Sequence, residues 1–276
     1  MLRQRILSAL VMVPLVVFSV LFLDQALFAV LMGVVVLIGA WEWSALTPLQ
    51  ETGVRYGYLG LIFSATVVAW YFAASEVFVN SVLWLAMAWW LFVLFWITRP
   101  DIGREVSSLH TTMKAILGLG LLISTWLALV VLHSRPDQGP YWVMFVLVLV
   151  WVADSGAYFS GRAFGRNKLA PAVSPGKTWE GVFGALVACS LFAYAYGRFL
   201  DLRGALLSSF VLVCVVTVLF SIAGDLLESL LKRQRAVKDS GTLIPGHGGM
   251  LDRIDSLLAA APVFLFGIRW LSLIHI

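Results

Sequence analysis

Long apolar stretches separated by short polar breaks run through the whole chain. Nine of them are long enough to cross a bilayer as helices, since about 20 apolar residues span a hydrocarbon core of roughly 30 Å. The predicted spans are residues 6–23, 26–46, 57–75, 77–98, 115–133, 141–160, 180–199, 205–229 and 256–273. The alternating segments typical of a transmembrane β-barrel are not visible. The pattern predicts an all-α, polytopic membrane protein with about nine transmembrane helices.

The first span resembles a secretory signal, because Arg3 and Arg5 precede an apolar run from Ile6 to Leu23. That run is longer than the apolar part of most signal peptides, and no small-residue cleavage site precedes Asp24. We therefore expect a retained first helix.

Composition excludes a soluble globular protein. The chain is 61% hydrophobic and 12% charged, whereas soluble domains have about 25% charged residues. Cys189 and Cys214 both lie inside apolar runs. They are best interpreted as small buried residues rather than a disulfide or a metal pair.

The basic residues predict an orientation. With nine spans, fifteen of the 19 Lys and Arg residues fall on the side of the N-terminus. Short cytoplasmic connections carry the excess of Lys and Arg in membrane proteins. We expect a multi-pass protein of the inner (plasma) membrane, with the N-terminus in the cytoplasm. Residues 1–140 would form N-terminal helices, and residues 141–276 would carry the functional cytoplasmic loops.

Acidic residues inside the predicted spans indicate a functional site. Asp154 lies in the sixth span, and Asp225 and Glu228 lie near the end of the eighth. A carboxylate at the bilayer centre costs roughly 2.5–3.5 kcal/mol, so such residues usually face a polar cavity. Asp225 and Glu228 have an alternative role as helix-end groups that reach the interface.

The long loop before the last span adds two carboxylates. Asp252 and Asp255 are three residues apart and share one face if a helix begins there. Together with Asp225 they form an oxygen-rich set suited to Mg²⁺. Helix capping is the alternative for any one of them.

The same loop suits a phosphate ligand. Gly246, Gly248 and Gly249 allow backbone N–H groups to approach an anion, and His247 lies among them as a hydrogen-bonding group. Positive charge comes from Lys232, Arg233, Lys238 and Arg253. The alternative for Lys232, Arg233 and Arg235 is an anchor for anionic lipid heads.

The other long cytoplasmic loop ends in Ser174-Pro-Gly-Lys-Thr-Trp-Glu-Gly181. It is not a P-loop, because Pro171 stands where the motif requires a glycine. We interpret it as a basic turn capped by Ser174 or Thr178, with Glu180 at the start of the seventh span. Lys177 is either a topology anchor or a phosphate ligand.

Together these segments resemble the phosphatidate cytidylyltransferases (CDP-diglyceride synthases). Residues 229–255 are similar to that family's signature, S-x-[apolar]-K-R-x₄-K-D-x-G-x₂-I-P-x-H-G-G-[apolar]-x-D-R-[apolar]-D. The segments around Asp154, 161–166, 174–181 and 224–229 are similar to the same family. The first 140 residues resemble it only as a set of spans.

The resemblance implies that CTP and phosphatidic acid react to give CDP-diacylglycerol and pyrophosphate with Mg²⁺. It implies metal ligation by Asp225, Asp252 and Asp255. The remaining roles are phosphate contacts from Lys177, Lys232, Arg233, Lys238 and Arg253, with Asp154, Glu180, Asp239 and His247 as further polar groups of the site. Substrate contacts are also expected from Ser174, Thr178, Gly248 and Gly249.

Two other classes stay open at this stage. A transporter of a phosphorylated solute would be expected to show inverted repeats, and none is visible. A transferase acting on an ether-linked isoprenoid lipid would keep the phosphate site and change only the lipid groove. We expect membrane lipid and no nucleic acid as partners, with a homodimer as an open alternative, and we assign no function to His275.

Overall fold

A computed structural model describes the chain over residues 2–49, 51–136, 138–244 and 246–271. Side chains are described from residue 8 onward in these ranges, apart from residue 9. His275 lies outside the described residues, as do the side chains of Arg3 and Arg5.

The described residues form ten helices, and the nine longer ones overlap the nine predicted spans. The helices are α1 Leu2–Phe22, α2 Gln25–Leu46, α3 Thr52–Tyr71, α4 Glu76–Ile97, α5 Ser108–His133, α6 Gly139–Phe164, α7 Trp179–Phe199, α8 Gly204–Gln234, α9 Leu251–Ile254 and α10 Leu257–Trp270. The prediction of an all-α, polytopic membrane protein is confirmed.

Six of these helices are long and apolar enough to cross a membrane: α2, α4, α5, α6, α7 and α8. Helix α1 contributes a shorter apolar stretch, Leu10–Phe22, and α10 has 14 residues. The number of spans and the side on which the N-terminus lies therefore stay predictions.

Helix α5 forms the centre of the bundle. In its most apolar window 72% of the residues are buried, against 39% or less in the other five long apolar helices. Two indole N–H groups fasten α2 to the neighbouring α5: Trp43 Nε1 donates to the Lys114 carbonyl over 2.9 Å, and Trp126 Nε1 donates to the Ala29 carbonyl over 3.0 Å. These bonds satisfy polar groups that would otherwise be stranded in an apolar interior.

Helix α8 continues beyond the predicted end of its span. The prediction ended the span at residue 229, but the helix runs 31 residues to Gln234. Lys232 does not end it because Glu228, four residues earlier, forms an ion pair with it over 2.7 Å. Opposite charges at this spacing stabilise a helix.

The loop between α6 and α7 contains a hairpin that was not predicted. Its strands are β1 Lys168–Ala170 and β2 Ser174–Thr178, which pair antiparallel with Lys168 opposite Thr178. A strand pair this short leaves little trace in hydrophobic periodicity, because only three and five residues take part.

The C-terminal end of α8 contacts two loops at one end of the bundle. Gln234 Nε2 donates to the carbonyls of Pro100 and Ile102, both over 3.0 Å, which ties the end of α8 to the α4–α5 loop. The end of α8 also meets the hairpin, where Arg233 Nε donates to the Val173 carbonyl over 3.4 Å. The predicted site residues lie at this end.

Candidate functional site

The hairpin is closed at its base by side chains of the following helix. Thr178 is the N-cap of α7, and its Oγ1 accepts from the N–H of Gly181 over 3.2 Å. Glu180 accepts from the backbone N–H and the Nδ2 of Asn167, over 3.1 and 2.8 Å. Of the two predicted caps, Thr178 is therefore the correct one, and Ser174 begins β2.

Lys177 points from β2 toward α8. Its Nζ lies 2.7 Å from Asp225 Oδ2, and the two side chains are 25% and 33% exposed. Asp225 also accepts from Ser229 Oγ over 3.3 Å. The ammonium group of Lys177 therefore lies inside the site, in contact with a carboxylate that solvent can reach. Lys177 had been predicted as either a topology anchor or a phosphate ligand.

Three further charged residues surround this pair. Asp154 on α6 is exposed and within electrostatic range of Asp225, Lys177 and Arg253. Burial, reinforced by the charge of Asp225, raises the pKa of Asp255 to about 7. Three carboxylates therefore lie near two cations here, and a further cation would favour the charged form of Asp255.

A second group of charges lies beside the first and is more deeply buried. Lys232 Nζ lies 2.7 Å from Glu228 Oε2 and 2.6 Å from Asp252 Oδ1. The exposed fractions are 14% for Lys232, 1% for Glu228 and 5% for Asp252. Since charges this buried need partners, Lys232 is fixed between two carboxylates.

The other oxygen of Asp252 binds the loop itself. Asp252 Oδ2 accepts from the N–H of Ser240 over 2.8 Å, from Ser240 Oγ over 2.9 Å and from the N–H of Gly249 over 2.8 Å. Burial opposes ionisation of this carboxyl, but the hydrogen bonds from Lys232, Gly249 and Ser240 outweigh it and lower the pKa of Asp252 to about 2. Asp252 is a fixed carboxylate that organises the loop.

The predicted metal triad is not assembled in this structure. Across the part of the chain that the structure describes, no three His, Cys, Asp or Glu side chains are grouped closely enough to hold a metal ion together. The prediction that Asp252 and Asp255 share one face required a helix to begin near them, and α9 does start at Leu251. However, Asp252 accepts three hydrogen bonds on Oδ2 and one from Lys232 on Oδ1, whereas Asp225 and Asp255 influence each other electrostatically.

Sequence reasoning missed Glu42, which lies near the end of α2 and is 5% exposed. Its oxygens accept from the N–H of Met250 over 2.9 Å, from the N–H of Leu251 over 2.7 Å and from Ser240 Oγ over 3.1 Å. A signal was available, because Glu42 is an acidic residue inside a predicted span. The same criterion had selected Asp154.

The glycines of this loop serve its internal carboxylates. Gly246 and Gly248 have φ values of +77° and +84°, a region that strains other residues. The N–H of Gly249, predicted to bind phosphate, donates to Asp252. A Cβ at Gly249 would lie 2.4 Å from Glu42, so the missing side chain here accommodates a carboxylate of the protein.

The remaining predicted residues are partly or fully exposed. Arg233, Lys238, Asp239 and Arg253 are exposed. His247 Nδ1 lies 2.6 Å from Ser8 Oγ on α1 rather than against a neighbouring carboxylate. Arg233, Lys238 and Arg253 therefore present positive charge to solvent, which suits an anionic ligand that arrives from solvent.

Comparison with known proteins agrees with this geometry. The profile described as the Cytidylyltransferase family matches residues 3–271. The chain is 38% identical to the phosphatidate cytidylyltransferase of Haemophilus influenzae over 96% of this chain and 98% of the relative. It is 43% identical to that of Pseudomonas aeruginosa over 96% of both chains. The Thermotoga maritima protein of the same name is 30% identical over 95% of this chain and 94% of its own.

Proposed function

Because this chain belongs to the cytidylyltransferase family, we propose that it transfers the cytidylyl group of CTP to phosphatidic acid. The products are CDP-diacylglycerol and pyrophosphate, and the reaction serves phospholipid synthesis. The observation that supports this most directly is the Lys177–Asp225 pair, which lies beside Asp255 at the end of a bundle of apolar helices. A lipid phosphate and a water-soluble triphosphate meet at such a boundary.

The bond changes need no activated side chain. An oxygen of the lipid phosphate attacks the α-phosphorus of CTP, and the bond from that phosphorus to the α–β bridging oxygen breaks as pyrophosphate leaves. The attacking group is already an anion. The protein therefore contributes by holding the two phosphates in line and by neutralising the charge that accumulates on pyrophosphate.

The basic residues have different proposed roles according to how deeply they are buried. Lys177 is half-buried and transfers its contact from Asp225 to a phosphate oxygen of CTP when the nucleotide binds. Lys232 stays between Glu228 and Asp252 and fixes the position of Asp252. The exposed Arg233, Lys238 and Arg253 attract the nucleotide and the lipid head, in keeping with the preference of Arg for phosphate.

We further propose that Asp225 and Asp255 are the protein ligands of a Mg²⁺ ion. Their mutual repulsion and the ammonium group of Lys177 on Asp225 both indicate a place where positive charge is favourable. When bound, Mg²⁺ would neutralise phosphate oxygens of the triphosphate. We assign Asp252 to the loop and to Lys232 instead, because these partners already supply four hydrogen-bond donors to its two oxygens.

The site is proposed to face the cytoplasm from the inner membrane. The two predicted cytoplasmic loops, with the helix ends that flank them, carry nine of the fifteen basic residues assigned to the cytoplasmic side, and bacterial relatives share the family. The cytoplasm supplies CTP directly to a site with this orientation.

The test is a direct assay of purified protein in detergent with CTP and phosphatidic acid. We expect CDP-diacylglycerol and pyrophosphate in equal amounts, formed only when both substrates are present and abolished by EDTA. Addition of excess Mg²⁺ should restore the rate. Product formation in EDTA would exclude the metal assignment and leave the transfer intact. Failure of the folded, membrane-inserted protein to form CDP-diacylglycerol would overturn the proposed function.

A further inference from the structure

Glu42 is a buried carboxylate without a cation. It is 5% exposed, and among the described residues no Lys, Arg or His side chain forms an ion pair with it. A buried charge that is not paired is costly unless hydrogen bonds replace the lost water. The reason for its presence must therefore lie in what it binds.

Within the described residues, the hydrogen bonds to Glu42 all come from the segment between α8 and α10. Glu42 Oε1 accepts from the N–H of Met250, and Oε2 accepts from the N–H of Leu251, over 2.9 and 2.7 Å. These N–H groups belong to the start of α9, which has no side-chain cap of its own. Glu42 thus takes the place of a cap from a helix more than 200 residues away in sequence.

Ser240 connects Glu42 to the charged site. Its Oγ lies 3.1 Å from Glu42 Oε2 and 2.9 Å from Asp252 Oδ2. The hydroxyl has a single hydrogen, which it shares between the two carboxylates. A continuous chain of contacts therefore runs from Glu42 through Ser240 and Asp252 to Lys232.

Two glycines leave the space that the carboxylate fills. A Cβ added to Gly241 would lie 2.4 Å from Glu42 Oε1, and one added to Gly249 would lie 2.4 Å from Oε2. Neither glycine has a positive φ. Their requirement is therefore one of space, and it exists because Glu42 is there.

We propose that Glu42 is a positioning residue of the transferase. It holds the 240–251 segment in the conformation that keeps Asp252 on Lys232, and it contacts no substrate itself. This inference rests on the proposed function for its kinetic test. Its structural test, the protection of two backbone amides, does not.

The first variant is Glu42→Gln, which has the same shape but places an NH₂ group against one of three donors. Losing a hydrogen bond to a charged group typically lowers a rate or affinity roughly ten- to a hundred-fold. We expect kcat to fall by about that factor while the KM for CTP changes by less than about threefold, because the phosphate contacts remain. Glu42→Asp should recover part of the rate. Glu51→Gln, at an exposed position with no capping bond, is the matched control.

Hydrogen exchange of the Met250 and Leu251 amides provides the readout that is independent of activity. In the unmodified protein both amides should be protected, and in Glu42→Gln both should exchange at least about tenfold faster, with a similar thermal midpoint. Protection in a protein that makes no CDP-diacylglycerol would refute the proposed function and keep the role of Glu42. Full activity and unchanged exchange in Glu42→Gln would overturn the inference.

A second variant approaches the same contact from the other side. Gly249→Ala should displace Glu42 and reproduce the loss of kcat and of amide protection. Combined with Glu42→Gln it should add little further loss, because both changes break one arrangement. The control is Gly57→Ala, since a Cβ at Gly57 meets nothing within 4 Å. Fully additive losses in the double variant would contradict the shared role.

Discussion

Lys177 on β2 and Asp225 on α8 form a 2.7 Å ion pair that joins the hairpin to the longest helix. Both groups remain partly accessible, at 25% and 33% of their side-chain surface. A partly exposed pair is weakly stabilising and can be exchanged for a stronger partner. We expect the triphosphate to be that partner, with Asp225 then free to hold a cation.

Replacement of Lys177 tests this exchange. Lys177→Ala should raise the KM for CTP or lower kcat by roughly ten- to a hundred-fold, since a charge-assisted hydrogen bond contributes about 1.5–3 kcal/mol. Lys177→Arg should recover only part, because a planar guanidinium does not replace a compact ammonium. Initial rates at limiting CTP measure both effects.

Lys168→Ala is the matched control for that experiment, because Lys168 lies on the partner strand and is exposed. Its removal takes the same charge from the same loop and should leave the kinetics unchanged. Normal kinetics in Lys177→Ala at limiting CTP would restore the anchor interpretation of this residue.

The carboxylates should separate into two classes when each is changed to its amide. Asp225→Asn and Asp255→Asn should raise the Mg²⁺ concentration for half-maximal activity by at least about tenfold, as expected for lost ligands. Asp252→Asn should lower kcat by orders of magnitude, on the order of a hundredfold or more, while that Mg²⁺ concentration stays within about threefold. Rates measured against Mg²⁺ at saturating CTP distinguish the classes. A large Mg²⁺ shift in Asp252→Asn would return this residue to the metal ligands.

Metal binding should depend on pH through Asp255. Its pKa is raised to about 7, so the group is neutral below that pH and charged above it, and a proton competes with the cation at low pH. We expect Mg²⁺ to bind about tenfold more weakly at about pH 6 than at about pH 8. Asp252, with its pKa lowered to about 2, stays ionised throughout and adds nothing to this dependence.

The pH experiment is best done by calorimetric titration of the nucleotide-free protein, because a terminal phosphate itself has a pKa near 6. An equal Mg²⁺ affinity at both pH values would exclude Asp255 as a ligand that must lose a proton.

The orientation of the chain is open to a labelling test. In a background where Cys189 and Cys214 are replaced by alanine, Ala172→Cys and Thr242→Cys should react with an impermeant reagent only from the cytoplasmic side. Both positions are exposed. Arg203→Cys, in the α7–α8 connection, should react only from outside. Labelling of Ala172→Cys from outside intact cells would mean that the number of spans is wrong.

Sequence patterns predicted the helices well because apolar length is a strong signal. They did not predict that the eighth helix continues past its span to Gln234, since Lys232 was taken as a loop residue. Its charge is compensated within the helix by Glu228. That compensation depends on rotamers and burial, which a one-dimensional pattern does not contain.

The site was predicted less completely, for a related reason. Charged residues near one another in sequence were found, whereas Glu42 acts on Met250 across 208 positions. The short hairpin that carries Lys177 also escaped prediction. Asp252 holds the loop, whereas Asp225 is proposed to bind a cation. These different roles depend on which donors surround each oxygen, and only the folded chain shows those donors.

The length of α8 has a consequence for where the nucleotide binds. At about 1.5 Å per residue, its 31 residues extend roughly 46 Å, while the hydrocarbon layer is only about 30 Å thick. About ten residues separate Asp225 from the C-terminal end, a rise of roughly 14 Å. If the N-terminal part of α8 fills the hydrocarbon layer, the stretch that bears Asp225 and Lys232 emerges at the depth of the lipid phosphates. CTP can then react without entering the hydrocarbon layer, and the lipid can react without leaving its leaflet.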